Sequence, residues 1–321
     1  MSSGRMPCPH EASQPGGCEL GPRPIDLHLS GLQDLGAEIQ ESGGVIRCTA
    51  AHLTPCRLVL GFPSVGATEN LMLAACAAEG VTTIENAARE PEIQDLQDFL
   101  NTCGARITGA GTSTITIRGG ETLHGASFTV MPDRIVTATY LCACAATGGD
   151  VYIRAAREEH LSAVTEALRR AGCNVRSDEG GIRCCISRGR LRAVPAVRTA
   201  PYPGFPTDAQ ALLMAALLRG KGTTVFEENM FENRYRHVDE LRRMGGDIRV
   251  SGRVAVVSGV ERLSGAAVTA TDLRGGAALC VAALGADGAS RVREIGHIDR
   301  GYEDIARDLR ALGAQITRSE G

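Results

Sequence analysis

A chain of 321 residues with 43% hydrophobic residues and a formal charge of −3 has apolar material for about two globular domains, and no basic stretch to mark a nucleic-acid binder. No run of about 18 apolar residues is present to span a membrane, and Met1–Gly17 lacks the apolar core of a secretory signal. Tryptophan is absent and aromatics make up only 3%, so the core has to be aliphatic. Twelve cysteines occur without a C-x-x-C spacing, and Cys76, Cys142, Cys144 and Cys280 sit in apolar stretches. They read as small buried hydrophobes of a cytosolic protein, with no disulfide framework and no structural zinc.

The first informative stretch is Gln14–Leu29. Cys18 stands among glycines and prolines, and Arg23 is locked between Pro22 and Pro24. Proline removes backbone donors and glycine costs entropy in regular structure, so this is a loop. A helix pattern starts directly after it, with Ile25, Leu29 and Leu32 spaced by four and three.

From there the chain repeats. A helix, a glycine turn and a short strand recur around Gly36, Gly104, Gly172, Gly245 and Gly313, which lie 68, 68, 73 and 68 residues apart. The glycine suits the left-handed position that ends a helix. The preceding helices are amphipathic; Leu161, Val164, Leu168 and Ala171 form one stripe, and Tyr302, Ile305, Leu309 and Leu312 another. A second, alanine-rich helix alternates with the first, over Ser64–Glu79, Asp133–Thr147, Thr207–Arg219 and Asp272–Ala286. Such helices pack closely on all sides and are expected in the core. The result is an α/β architecture of repeated β-α-β-α-β-β units. Five copies of one helix against four of the other imply that the chain begins inside a unit. No dinucleotide-binding or Walker-type glycine loop is present.

Polar residues cluster before the alanine-rich helices, in Gly61–Thr68, Thr199–Asp208 and Thr271–Arg274. Helix starts carry free N–H groups and favour anions. A lone aspartate such as Asp208 in a first turn is ordinarily a helix-end charge. The arginines Arg23, Arg234, Arg274 and Arg300 recur at unit edges, and planar guanidinium groups bind phosphate and carboxylate in bidentate fashion.

Longer motifs carry a resemblance. Gly16-Gly17-Cys18, Arg23–His28, Ser64–Thr68, Ile84–Ile93, Pro201–Asp208, Phe231–Val238 and His297–Tyr302 resemble the UDP-N-acetylglucosamine enolpyruvyl transferases, from about Gly16 to the C-terminus. The resemblance implies a two-domain inside-out α/β barrel of six units, of which five would be present and the first incomplete. It implies an incomplete first domain over residues 1–132, carrying the cysteine loop, and a second domain over 133–321. It implies transfer of enolpyruvate from phosphoenolpyruvate to the 3-hydroxyl of UDP-N-acetylglucosamine, with release of phosphate, in the cytoplasm, without cofactor, metal, nucleic-acid or membrane partner.

The implied catalytic residues are Cys18 as proton donor, Asp208 as general base and Arg300. Implied substrate contacts are Arg23, Pro24, Ile25, Asp26, Leu27, Ser64, Val65, Gly66, Met230, Arg234 and Arg274. The family's upstream Lys-Asn segment has no counterpart here, and Met1–Ser13 matches nothing in it, which implies an N-terminally shortened transferase. Two alternatives go with that departure: a sugar-nucleotide-binding homologue without turnover, and, less well matched, the shikimate-pathway enolpyruvyl transferase.

Overall fold

The computed structural model describes residues 10–13, 25–186 and 189–319, so Cys18, Arg23 and Pro24 lie outside the described residues. Main-chain packing divides the chain into two compact units, one ending at Met131 and the other starting at Pro132.

The first unit contains, in order, β1 (His10–Ser13), α1 (Asp26–Asp34), β2 (Glu38–Ser42), β3 (Val45–Thr49), β4 (Arg57–Val59), α2 (Val65–Cys76), β5 (Gly80–Glu85), α3 (Pro91–Thr102), β6 (Arg106–Thr108) and β7 (Thr114–Gly119). β4 through β7 make one complete β-α-β-α-β-β repeat. Its sheet runs β4-β5-β7-β6, with β4 and β5 parallel and the other pairs antiparallel. Period-two alternation turns Ile115 and Ile117 inward beside Leu58, Ile84 and Ile107. α2 buries Ala67, Thr68, Leu71, Met72, Ala75 and Cys76, a stripe at helical spacing that closes this core. α3 begins with Pro91, whose missing N–H costs nothing at a helix start.

β1 corrects the sequence reading of Met1–Ser13 as an unmatched leader. His10–Ser13 pairs antiparallel with Cys48–Val45, giving the order β1-β3-β2. β1 therefore stands to β3 as β5 stands to β7. The polar run His-Glu-Ala-Ser carries no hydrophobic alternation, so only the partner strand reveals it.

The second unit contains α4 (Arg134–Thr147), β8 (Gly149–Arg154), α5 (Ser162–Ala171), β9 (Asn174–Asp178), β10 (Gly181–Ile186), β11 (Ala196–Arg198), α6 (Thr207–Leu217), β12 (Thr223–Glu227), α7 (Val238–Arg243), β13 (Asp247–Ser251), β14 (Val254–Ser258), β15 (Ala267–Thr269), α8 (Leu273–Leu284), β16 (Arg291–Arg293), α9 (Gly296–Asp299) and α10 (Ile305–Ala311). The sheet β11-β12-β14-β13 repeats the topology of the first unit's complete sheet. The flanking copies are shorter: β8-β10-β9 has three strands and β15-β16 two.

α4, α6 and α8 pack on one another at the centre of the second unit, with the sheets around them. Every residue of α6 from Ala209 to Leu217 is buried, as is every residue of α8 from Arg274 to Ala282. Small side chains allow this: alanines let three helices approach while the leucines fill the spaces between.

The repeat glycines Gly36, Gly104, Gly172, Gly245 and Gly313 all take positive φ, between 92° and 106°. An L side chain is strained there, so each helix end requires glycine. A second mark of the repeat was not legible in the sequence. Asn86, Ala155 and Glu294 have φ of 54°, 61° and 54°, each directly after the strand that follows the alanine-rich helix of its copy. In the stripe read at the C-terminus, Tyr302, Ile305 and Leu309 are buried but Leu312 is 52% exposed, because it already belongs to the turn that ends α10.

Candidate functional site

Asp208 lies in the first turn of α6, but it does not cap the helix. The N-cap position is Pro206, which has no side chain to offer. The Asp208 carboxylate is turned instead onto two guanidinium groups. Arg234 Nη2 donates to its Oδ1 at 2.7 Å, and Arg274 Nε donates to its Oδ2 at 3.3 Å. The two arginines are buried, with 3% and 11% of their side chains exposed, whereas 40% of the Asp208 side chain is open. Burial by itself would raise the Asp208 pKa. The charges of Arg234 and Arg274, the Arg274 hydrogen bond and the charge of Arg134 outweigh it and hold the carboxyl below its ordinary value.

Each arginine is held independently of Asp208. Arg234 Nη2 also donates to the Thr207 carbonyl at 3.2 Å, and its guanidinium lies 5.8 Å from the centre of the Phe231 ring. Arg274 is fixed at both ends. Asp272 caps α8, accepting from the N–H groups of Arg274 and Gly275 at 3.0 and 2.9 Å. At the far end Arg274 Nη1 donates to the Tyr302 hydroxyl at 3.2 Å, and the guanidinium lies 5.5 Å from the centre of that ring.

The loop after β12 is built on a buried carboxylate. Glu228 accepts from Thr199 Oγ1 and Thr207 Oγ1, both at 3.0 Å, and from the N–H groups of Met230 and Phe231 at 2.8 and 3.1 Å. It thereby ties the approach to α6 to the segment that carries Met230 and Arg234. Glu228 occupies the place after β12 that Asn86, Ala155 and Glu294 occupy in the other copies.

A second constellation lies in the first unit. Ile25 is the N-cap of α1, followed by exposed Asp26 and half-buried Leu27. Ser64 caps α2, its Oγ accepting from the Ala67 N–H at 3.3 Å, and Val65 and Gly66 follow it. The two helix starts meet. A Cβ added to Gly66 would stand 3.3 Å from His28 Cε1, and His28 Nδ1 lies 2.9 Å from Asn70 Nδ2. An amide NH₂ can only donate, so Nδ1 accepts and the imidazole proton sits on Nε2. Burial, opposed by Asp26, lowers the His28 pKa and keeps the ring neutral.

The structure thus brings Asp208, Arg234 and Arg274 together, and separately Ile25–Leu27 with Ser64–Gly66. Met230 adjoins the first group through Glu228. Arg300 is exposed at the end of α9, with no ion pair to Asp208 among the described residues. Its proximity to the Asp208 group was expected from the motif around it; the residue that makes the contact is Tyr302, two positions on. Glu228 escaped the sequence reading because it is joined to its partners only by the fold, and Tyr302 was legible there only as part of a stripe and a motif.

A family model described as EPSP synthase (3-phosphoshikimate 1-carboxyvinyltransferase) matches residues 4–309. UDP-N-acetylglucosamine 1-carboxyvinyltransferase 2 of Caldanaerobacter subterraneus is 51% identical over 306 residues, spanning 95% of this chain and 73% of that protein. The enzyme of that name from Gluconobacter oxydans is 50% identical over 309 residues, spanning 96% of this chain and 73% of its own. The chain belongs to the UDP-N-acetylglucosamine 1-carboxyvinyltransferase family of enolpyruvyl transferases. Among solved structures, this enolpyruvyl transferase superposes on NikO from Streptomyces tendae with a TM-score of 0.81 at 28% identity, over 91% of this chain and 72% of NikO. An EPSP synthase from Acinetobacter baumannii gives 0.70 at 20% identity, over 97% of this chain and 75% of that one, a likeness that establishes the fold alone.

Proposed function

We propose that this enolpyruvyl transferase moves the enolpyruvyl group of phosphoenolpyruvate onto the 3-hydroxyl of UDP-N-acetylglucosamine and releases phosphate. The observation that carries the proposal is one carboxylate, Asp208, faced by three arginines, Arg134, Arg234 and Arg274. The surplus of positive charge suits an anion with a carboxylate and a phosphate, and half-open Asp208 suits a proton acceptor beside it.

The atoms balance in two steps. The sugar oxygen bonds to C2 of phosphoenolpyruvate while Asp208 takes the hydroxyl proton and the Cys18 thiol delivers a proton to C3. The C2–O bond to phosphate then breaks while the Cys18 thiolate takes a proton back from C3, which restores the double bond and the thiol, and the proton held by Asp208 leaves with the phosphate. Arg234 and Arg274 oppose the negative charge of the phosphate as it departs. An anion that engages these arginines weakens their hold on Asp208 and raises its basicity, so the carboxylate becomes a better base when substrate is bound. Cys18 delivers its proton from the glycine-rich stretch that lies five residues before Arg23 in the sequence.

Ile25–Leu27 and Ser64–Gly66, which meet at the His28–Asn70 contact, bind the sugar nucleotide together with Arg23, Pro24 and Met230. Arg300 acts on the phosphoenolpyruvate side from its exposed position after α9. The domain organisation goes with this assignment: residues 1–132 carry the cysteine loop and 133–321 carry Asp208. So does a cytoplasmic location, supported by the free thiols of all ten described cysteines.

Phosphate release measured with phosphoenolpyruvate and either UDP-N-acetylglucosamine or shikimate 3-phosphate tests the assignment. Release with the nucleotide sugar alone, reduced at least about a hundredfold in Asp208→Asn with nucleotide-sugar affinity kept within about threefold, is the expected result. Release only with shikimate 3-phosphate, or calorimetric binding of UDP-N-acetylglucosamine without any turnover, overturns it.

A further inference from the structure

Three helices contribute to a single chain of hydrogen bonds that ends on Asp208. Arg274 Nη1 lies 3.2 Å from the Tyr302 hydroxyl, which lies 2.7 Å from Thr139 Oγ1, which lies 2.9 Å from the Ile135 carbonyl. The proton positions follow from what each group can do. The Ile135 carbonyl can only accept, so the single Thr139 proton goes to it. Thr139 Oγ1 then offers Tyr302 only lone pairs and takes the Tyr302 proton. The Tyr302 oxygen is left with lone pairs toward Arg274, which can only donate. Every donor and acceptor is matched in one direction, from Arg274 inward to the backbone of α4. Thr139 and Tyr302 are buried, at 0% and 4% exposure, so no water competes for these bonds.

We infer that Tyr302, polarised by Thr139, is a positioning residue that fixes the Arg274 guanidinium against Asp208. Nothing else in the described structure grips that guanidinium opposite Asp208: the Asp272 cap holds only the backbone of Arg274. Tyr302 donates no proton in the reaction, since its own proton is committed to Thr139. It acts by keeping Arg274 Nε on Asp208 Oδ2 and so sets the acidity of that carboxyl. The charged and titratable groups that face the assembly are Asp208, Arg234, Arg134 and Asp133, with Tyr140 beside Tyr302 and His237 beside Arg234, and all are held constant in the comparison below.

The inference rests on Asp208 as the base of the proposed transfer, so the experiment pairs a substrate-free readout with kinetics. Tyr302→Phe keeps the ring and removes the hydroxyl; Thr139→Val keeps the shape and removes the proton acceptor; Thr139→Ser restores it. The Asp208 carboxyl is titrated by carbon-13 NMR in each full-length variant without ligand, with Asp208→Asn identifying its resonance. Tyr302→Phe and Thr139→Val are expected to move that titration upward by about half a unit to one unit, and Thr139→Ser to leave it near the parent. The acid limb of kcat/KM is expected to follow the same order, with kcat down about tenfold in Tyr302→Phe and KM for the nucleotide sugar little changed. An Asp208 titration that stays at the parent value in both Tyr302→Phe and Thr139→Val overturns the positioning role. A shifted titration in a protein without turnover retains that role and fails the transferase assignment instead.

Discussion

Asp272 holds the backbone of Arg274 while Asp208 holds its side chain. The two aspartates stand near the starts of neighbouring core helices, α8 and α6, yet only Asp272 performs the capping that such a position invites. Asp272→Ala is therefore expected to have two separable effects. Loss of the cap should cost about 1 kcal/mol in stability, read from urea unfolding. Loss of the fixed Arg274 backbone should also lower turnover in the enzyme that remains folded. Asp272→Asn, which still caps, should recover most of the stability. A destabilised Asp272→Ala with full turnover would show that the cap has no part in aiming Arg274.

Glu228 gives a prediction about folding. It is fully buried and accepts four hydrogen bonds, two of them from backbone N–H groups. Glu228→Ala strands all four donors at once and should cost on the order of 3 kcal/mol in unfolding free energy. Glu228→Gln should be milder, because one oxygen remains to accept while its NH₂ opposes a donor. If the alanine variant unfolds within about 0.5 kcal/mol of the parent, water has replaced the carboxylate and the loop does not depend on it.

Much of this arrangement was legible in the sequence, and the limits have physical causes. The glycine turns could be read because a left-handed helix end admits little else, and five copies made the period unmistakable. The alanine-rich helices could be read as buried because small residues on every face have no other use. Asp208, Arg234 and Arg274 could be read as a set only through motif resemblance, because an aspartate in a first turn is by itself an ordinary helix-end charge. Thr139 and Tyr302 could not be read as partners: they are 163 positions apart, one inside α4 and the other in the connection between α9 and α10. β1 was hidden for a similar reason, since its pairing with β3 is main chain to main chain and leaves no side-chain pattern.

Thiol chemistry is expected to separate Cys18 from the core cysteines. Burial pushes the Cys280 thiol up to about 12 and raises Cys142 further. Cys144 donates its proton to the Cys184 carbonyl at 3.3 Å and is likewise raised. None of these can supply thiolate at neutral pH. Limiting iodoacetamide at pH 7.5, followed by peptide mapping, should mark Cys18 well before Cys142, Cys144 and Cys280, and those three should react only after denaturation. Early labelling of any of the three would mean that the second unit's core opens far more readily than its packing implies.

His237 makes stability depend on pH in a range above the one in which Asp208 acts. It stands at the N-cap position of α7 without a side-chain capping bond, is 1% exposed, and lies against α8, where a Cβ on Gly275 would stand 2.9 Å from the His237 Cβ and 2.6 Å from Asp272 Oδ2. Among the described residues, neither ring nitrogen has a side-chain hydrogen-bond partner to stabilise a second proton. Burial, countered in part by Asp272 and reinforced by Arg234, brings its pKa from 6.5 down to about 4. Between those values the unfolded chain binds a proton that the folded chain refuses, so stability falls as the pH drops from about 6.5 toward 4. The full loss is on the order of 3 kcal/mol. Asp208, also lowered, acts in a more acid range: its contribution is present above the ordinary carboxylate pKa and is lost as pH falls through its folded value. Urea unfolding at pH 7.0 and pH 5.0 isolates His237 through the difference between parent and variant, because His28, also lowered by burial, contributes equally to both. The parent should lose roughly 2 kcal/mol between the two, and His237→Gln, whatever its stability at pH 7.0, should lose markedly less. An equal loss in both proteins would place the proton uptake on another group and leave His237 as packing alone.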